Sequence, residues 1–564
     1  MDIRFDTYYD NDELQSALEA IAAAHPELVT LSELGRSHEG RPIPLVTLAA
    51  RSGPPVQRRP AFWVDGNIHA TELTASMAAL YVIADLAGRY GTDAAVTRML
   101  DRVALYVVPR LNPDGAAMAL ANPPRYVRSG TRPYPHDEPQ DGLHPEDIDG
   151  DGRILQMRVP DPTGDWKISD HDERLMVKRA PDDMEGDFFR IFPEGLIENY
   201  DGHLLKMAPP VHGLDFNRNF PSNWRPEGEQ YGAGDYPGSE PEIQAVLRFF
   251  ADHPTIFGAL TFHTYSRAIL RPFSSEPDDK MNASDKWVYD AIGQRGTEIT
   301  GYPNVSVYHH FRYHPQQVIT GVFDDWLYTQ RGIYAFTVEL WDLPSAAGIT
   351  EKNEQKQFIE WMRSHPVADD IKIFDYVNEV APERVEAWRP FDHPQLGPVE
   401  IGGFQSLYTW RNPPPALLEE EIAPQADFVL SFASLAPEVN LRSLEVAALG
   451  EDTWRVLAVV ENSGFLSTSG SRRARDTGLA RPVRLELRLP EGGPASIVGG
   501  DARVDVGHLE GRCNKMASGW FSSSATDNRG KAEWLVRAPS GTSLTLRVDG
   551  QRGGRFEEGV VLGG

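Results

Sequence analysis

Ala61-Phe62-Trp63-Val64-Asp65-Gly66, running into Asn67-Ile68-His69-Ala70-Thr71-Glu72, is the stretch on which the reading of the fold turns. Its first six residues are a short apolar run closed by glycine, the pattern of a buried strand. Residues 71–90, rich in Ala and Leu, read as a long helix. The same texture recurs along the chain. Residues 103–109, 258–262 and 334–340 are further apolar runs of strand length. Helical spacing marks 12–24, with Asn11 or Asp12 as N-cap, and then 240–250, 284–299 and 351–363. Buried strands alternating with helices predict an α/β domain with a mixed, largely parallel central sheet flanked by helices.

The texture changes twice. Residues 132–210 are rich in Asp, Gly, Pro and Arg with little periodicity, and read as a long insertion that walls the cleft. Asn412-Pro413-Pro414-Pro415 and Glu419-Glu420-Glu421 mark 388–427 as a linker. Beyond it the pattern has period two. Val483, Leu485, Leu487 and Leu489 alternate with Arg484, Glu486 and Arg488, and residues 454–460 and 544–548 behave alike. This predicts an all-β sandwich over 428–564, after an α/β domain over 1–387.

The chain has 564 residues, 41% hydrophobic and 24% charged, which argues against disorder. Its net charge of −27 repels polyphosphate and argues against nucleic acid as a partner. The one cysteine, Cys513, excludes an internal disulfide framework and a cysteine-cluster zinc site. No run of about eighteen apolar residues points to a membrane span. No apolar leader follows Met1, so the expected location is cytoplasmic, although a processed secreted form would read the same. Oligomeric state is not legible.

Chemistry concentrates where the first strand meets the first long helix. His69 and Glu72 are three residues apart at a strand's carboxyl end, where α/β sheets bind ligands. One imidazole and one carboxylate are two of the three protein ligands of a hydrolytic zinc. Taken alone, the pair reads first as a capped helix start with an exposed Glu. His263 follows the apolar run 258–262 and offers a third ligand; the bland alternative is a satisfied strand-end histidine. Glu339 lies between Val338 and Leu340, where an ionised carboxylate is costly unless it serves a charge or a proton. Asp215-Phe216-Asn217-Arg218-Asn219-Phe220 can bring an amide and a guanidinium together, a pairing that suits a carboxylate. The bland readings are a buried salt bridge and a surface loop.

In chain order these words, with Gly35-Arg36-Ser37-His38-Glu39-Gly40-Arg41, Asn112-Pro113-Asp114-Gly115, Ser239-Glu240-Pro241-Glu242 and Asp325-Trp326, resemble the zinc carboxypeptidases of the carboxypeptidase A type, the M14 metallopeptidase family. The resemblance runs from about residue 7 to about residue 375. It implies one Zn2+ held by His69, Glu72 and His263, with Asp215 orienting His69. It implies that Asn217 and Arg218 grip the terminal carboxylate of a peptide with a free C-terminus, and that Tyr265 touches substrate. Glu339 would be the general base, and an arginine would hold the oxyanion. Arg128 in Tyr126-Val127-Arg128-Ser129 is the best local match, with Arg125 and Arg132 as competitors.

The sequence also departs from the family. The place of the substrate-capping tyrosine falls near Gln317, and Tyr308 and Tyr313 are close but out of register. Asp324 stands near the place where the side-chain pocket is read, and an acid there resembles members that prefer C-terminal Lys or Arg. Asp147-Ile148-Asp149-Gly150-Asp151-Gly152-Arg153-Ile154 matches the first half of a calcium loop through Asp147, Asp149 and Asp151. Position 12 is Arg158 rather than Glu, so a solvated acidic turn stands beside Ca2+ unless Asp161 substitutes. Three functions follow: a metallocarboxypeptidase, a zinc amidase on cell-wall peptides or N-acyl amino acids, or a non-catalytic peptide-binding protein.

Overall fold

The computed structural model describes residues 3–515 and 525–563. Eight strands form one mixed sheet, in the spatial order Val29–Arg36, Pro42–Leu48, Ala104–Val108, Ala61–Gly66, Ile256–Thr264, Tyr334–Leu340, Ala268–Arg271 and Asn304–Ser306. The middle four run parallel. Antiparallel joints flank them on both sides. The middle four are buried along their whole length, which is why they read as unbroken apolar runs.

Side chains of these strands alternate between two cores. Phe62 and Val64 pack with the helices Leu73–Arg89, Ala283–Thr300 and Leu418–Ala433. Trp63 faces the other way, onto Ile243, Val246 and Phe250 of the helix Pro241–Asp252. Helices on both faces of the sheet give three layers. Gly66 marks a close crossing of strand and helix: a Cβ there would lie 2.3 Å from the carbonyl oxygen of Ala75.

Three sequence expectations need correction. The stretch 388–427 is not a linker. Val385–His393 and Gly397–Phe404 pair antiparallel, and Gly397–Phe404 also pairs with Gln156–Pro160 of the insertion. The helix Leu418–Ala433 buries Leu418, Ile422, Phe428 and Phe432 in the main core. Phe428 is therefore not the start of the distal domain, whose first strand begins at Val439. The expected helix at 351–363 is two short ones, Glu351–Glu354 and Phe358–Arg363, interrupted at Lys356 with φ 58°.

The insertion is folded rather than loose. It contributes Gln156–Pro160, Phe189–Pro193, Trp166–Ile168 and Met176–Lys178 to a six-stranded sheet with 385–404, and a separate antiparallel pair, Gly142–Pro145 with Gly195–Glu198. Leu143, Leu155, Met157, Ile197, Val399 and Ile401 form its own core.

The distal domain is two four-stranded antiparallel sheets closing on Val456, Leu485, Trp534, Leu546 and their neighbours. It docks on the α/β domain through buried polar contacts. The Arg472 and Arg473 amides donate to the Asp285 carboxylate (2.7 and 2.9 Å), which also accepts from the Tyr328 and Tyr334 hydroxyls (2.9 and 2.8 Å). Arg552 and Ser471 both donate to the Gly332 carbonyl at 2.9 Å. Among the described residues, no helix is long and apolar enough to cross a membrane.

Candidate metal centre

Three parallel strand ends deliver the site. His69 and Glu72 occupy the turn between the strand Ala61–Gly66 and the helix Leu73–Arg89. Asn67 bends that turn with φ 60°, and its amide donates to the His69 carbonyl at 2.7 Å. Asn412 clamps the far side of the turn. Its Oδ1 accepts from the Thr74 amide (2.9 Å) and its Nδ2 donates to the Thr71 carbonyl (2.8 Å). His263 lies near the end of Ile256–Thr264, in direct register with Glu339 of the neighbouring strand.

The ligand atoms converge. His69 Nδ1 is 2.9 Å from Glu72 Oε1, and His263 Nδ1 is 3.1 Å from both Glu72 Oε2 and His69 Nδ1. All three side chains are buried. Burial pushes the Glu72 carboxyl up, but His69 and His263 outweigh it and hold it well below the usual carboxylate range. Burial lowers His263, which favours the neutral imidazole. One proton shared between the two imidazole nitrogens would satisfy that pair alone, whereas a cation there would serve both nitrogens and the Glu72 carboxylate together. Two nitrogens and one carboxylate are the donor set of a hydrolytic zinc.

The surroundings orient this triad. His69 Nε2 is 3.1 Å from Asp215 Oδ1. Asp215 also accepts from Arg128 Nε (3.0 Å) and the Asn217 amide (2.9 Å). Against the cost of burial, Arg128, Arg218 and His69 hold its carboxyl well below the usual range. His263 Nε2 has no partner among the described residues, so only one of the two histidines carries the usual orienting carboxylate. Arg128 Nη1 lies 3.3 Å from Glu72 Oε1, placed by the hydrogen bond from the Ala70 amide to its carbonyl (2.9 Å). Its competitors lie elsewhere. Arg125 is exposed, and Arg132 pairs with Glu240 at 2.8 Å.

A cavity opens beside the triad, lined among others by Asn217, Arg218, Asp324, Thr337 and Glu339. Gly321, at φ +68°, lets the loop before Asp324 press onto the Arg218 backbone; a Cβ there would meet the Arg218 carbonyl oxygen at 2.2 Å. Asn217 Oδ1 accepts from the Phe323 amide at 2.9 Å. Arg218 Nη1 donates to the Asn217 carbonyl at 2.6 Å. Asp324 is 3% exposed, and burial pushes its carboxyl up to about 6. Glu339 accepts no hydrogen bond from the described residues. Burial and then the Glu72 charge push its carboxyl well up, against the pull of Arg128, Arg411 and Arg218. A buried, unpartnered acid on a cavity wall is equipped to take up a proton.

Other expected residues stand differently. Tyr265 is outside this cavity; its ring lies under the Arg411 guanidinium at 5.1 Å. Tyr313, out of register in the sequence, does line the cavity, with half its surface exposed. None of the lining residues comes from 132–210, so the insertion does not wall this cavity. Carboxylate oxygens of Asp147, Asp149 and Asp151 do gather. Arg389 pairs with Asp149 and Asp151 (3.0 and 2.6 Å), Arg153 pairs with Asp151 (2.8 Å), and Asp147 accepts from the Gly150 and Gly152 amides. Asp161 is taken by Arg190 at 2.6 Å. Arg411 and Asn412, inside the supposed linker, carried no local signal.

The model of the zinc carboxypeptidase family matches residues 14–359, and that of a domain of unknown function (DUF8731) matches 438–561. Carboxypeptidase A1 of Sus scrofa is 23% identical over 350 residues, covering 60% of this chain and 63% of that protein. Carboxypeptidase A2 of Rattus norvegicus is 24% identical over 386 residues, covering 64% and 72%. Among solved structures, thrombin activatable fibrinolysis inhibitor aligns with a TM-score of 0.40 and 19% identity, covering 67% of this chain and 75% of that one. Carboxypeptidase A from Helicoverpa armigera gives 0.39 and 18%, covering 67% and 76%.

Proposed function

The chain belongs to the zinc carboxypeptidase family, and from that premise we propose that it hydrolyses the last peptide bond of peptides with a free C-terminus. The observation that carries this reading is the meeting of His69, Glu72 and His263 at 2.9–3.1 Å beside the unpartnered Glu339. A zinc ion at that triad supplies a Lewis acid and lowers the pKa of water towards ~7.

The chain's own groups do the rest. Arg218 and the free amide nitrogen of Asn217 bind the terminal carboxylate, which makes the free C-terminus part of recognition. Asp324 faces the terminal side chain, and its buried charge suits Lys or Arg. Glu339 accepts the proton of the attacking water at its carboxylate and gives it to the nitrogen of the leaving amino acid. Arg128 donates to the oxygen on which negative charge develops. Asp215 holds His69 and Arg128 in place from behind.

The Arg218–Asn217 pair favours a substrate with a free carboxylate, and Glu339 beside the triad favours catalysis over binding alone. For the acidic loop, the pairing of Asp149 and Asp151 with Arg389 and Arg153 supports a guanidinium clamp rather than Ca2+. We read residues up to about 436 as the catalytic unit, because the helix Leu418–Ala433 completes its core.

Matched peptides with free and amidated C-termini test the reading. The free set alone should be shortened, one residue at a time, and 1,10-phenanthroline should stop it. Equal cleavage of the amidated set would refute exopeptidase action.

A further inference from the structure

The cleft holds a cation that the steps above do not use. Arg411 lies in the segment that follows the strand Gly397–Phe404, beyond the residues matched by the carboxypeptidase family. Its guanidinium sits over two aromatic rings from different parts of the chain, 5.1 Å from the centre of Tyr126 and 5.1 Å from that of Tyr265. Tyr126 precedes Arg128 by two residues, and Tyr265 follows His263 by two. Arg411 is thus held between two segments that flank residues of the metal centre. Its backbone amide donates to the Ser406 carbonyl at 3.0 Å, but among the described residues its guanidinium makes no ion pair and no hydrogen bond. In a chain of net charge −27 an arginine at a cleft without an acidic partner is a notable vacancy in the charge pairing.

Its position is fixed by its neighbour. Asn412 is buried and bonds the Thr71 carbonyl, the Thr74 amide and the Thr74 hydroxyl, bracketing Glu72. The Tyr8 hydroxyl holds the Pro413 carbonyl at 2.7 Å. Arg411 therefore cannot drift from the turn that carries His69 and Glu72.

Arg411, Tyr126 and Tyr265 do not line the cavity that holds Asn217, Arg218 and Asp324. If that cavity takes the C-terminal residue, the chain upstream of the scissile bond leaves past Glu339 towards Arg411. We propose that Arg411 is a specificity residue, a rigid guanidinium subsite for a carboxylate carried one or two residues upstream of the bond that is cut. The two rings hold the guanidinium by cation–π attraction and satisfy none of its N–H groups, which are left to a carboxylate. Acidic peptides, repelled by the protein as a whole, would be captured there at close range.

This rests on the carboxypeptidase reading, so the test separates the two. With the full-length, zinc-loaded protein, kcat/KM is measured for N-acylated tripeptides carrying Glu or Gln at either upstream position. The wild type should favour Glu by about tenfold, the range of one charge-assisted hydrogen bond. Arg411→Gln should bring that ratio to about one, and Arg411→Glu should invert it towards Lys-containing peptides. Titration calorimetry of the same peptides reads the ratio without turnover. Charge-dependent binding lost in Arg411→Gln, with no hydrolysis by any form, would uphold the subsite and refute the peptidase. A Glu/Gln ratio that is the same in the wild type and in Arg411→Gln, in both measurements, would overturn the subsite.

Discussion

Asp324→Asn is the sharpest probe of how the cavity reads its substrate. The carboxylate is 3% exposed and, among the described residues, accepts from the Asp325 amide at 2.9 Å and the Thr337 hydroxyl at 3.4 Å. Those contacts leave accepting capacity for an incoming cation. A charge-assisted hydrogen bond at such a site contributes about 1.5–3 kcal/mol. At about 1.4 kcal/mol per decade, its loss lowers kcat/KM for peptides ending in Arg or Lys by about 10- to 150-fold. Peptides ending in Leu should gain, because a neutral amide opposes an apolar side chain less than a buried charge does. The ratio of Arg to Leu substrates then falls further than either rate alone. Its pH dependence follows from the same burial. The carboxyl is pushed up to about 6, so acidification through pH 6 neutralises it and the wild type's preference for cations should fade there. The asparagine variant should show no such inflection. The assay is kcat/KM for four dipeptide substrates, ending in Arg, Lys, Leu and Phe, from pH 5 to pH 8. A wild type that prefers Leu at pH 8, or a variant that loses all four substrates equally, refutes the reasoning.

Glu339→Gln should keep its metal by mass spectrometry and lose about 10²–10⁴ in kcat, the range of a positioned general base; turnover near that of the wild type would remove Glu339 from the reaction. Glu242 is buried with one oxygen unpartnered, and burial pushes its carboxyl from 4.5 up to about 7. Its contribution to stability is complete below about pH 4.5 and is lost as the pH rises through about 7. Glu242→Gln should therefore match the wild type near pH 4.5 and exceed it by about 3 kcal/mol at pH 8 in urea denaturation; parallel pH curves would contradict this. Asp285→Ala strands two hydroxyls and two amides at the domain junction. It should cost about 3 kcal/mol or more and split one calorimetric transition into two, with the distal domain released.

The parts of the fold that could be read in advance are those whose signal is local. The middle strands, such as Ile256–Thr264 and Tyr334–Leu340, are buried on both faces and so appear as continuous apolar runs. His69 and Glu72 share one turn, and His263 and Glu339 end two such runs, so the centre was visible as ordered words. The insertion hid because its strands are three to five residues long, too short for alternation to register. The segment 388–427 was misread because Pro413 to Pro415 and Glu419 to Glu421 have the composition of a loop. In the fold the prolines lead into a helix, and Glu421 is buried. Arg411 and Asn412 act on residues far away in the sequence, Tyr126, Tyr265 and Thr74, and no local pattern announces such partners. Tyr313 stands out of register in the sequence, yet the loop brings it to the cavity all the same.

Glu421 gives that late segment a further meaning. Its carboxylate accepts from the Trp341 amide at 2.7 Å, two residues beyond Glu339, and pairs with Arg267 and the Tyr302 hydroxyl. Together with Asn412 on the Glu72 turn, it ties both sides of the cleft to residues made after the α/β strands are complete. On the ribosome, where synthesis runs from the N-terminus, the nascent enzyme stays unfinished until the helix Leu418–Ala433 has emerged. Order of birth thus sets when the metal centre can take shape, because both banks of the cleft wait on the last part of this domain to be made.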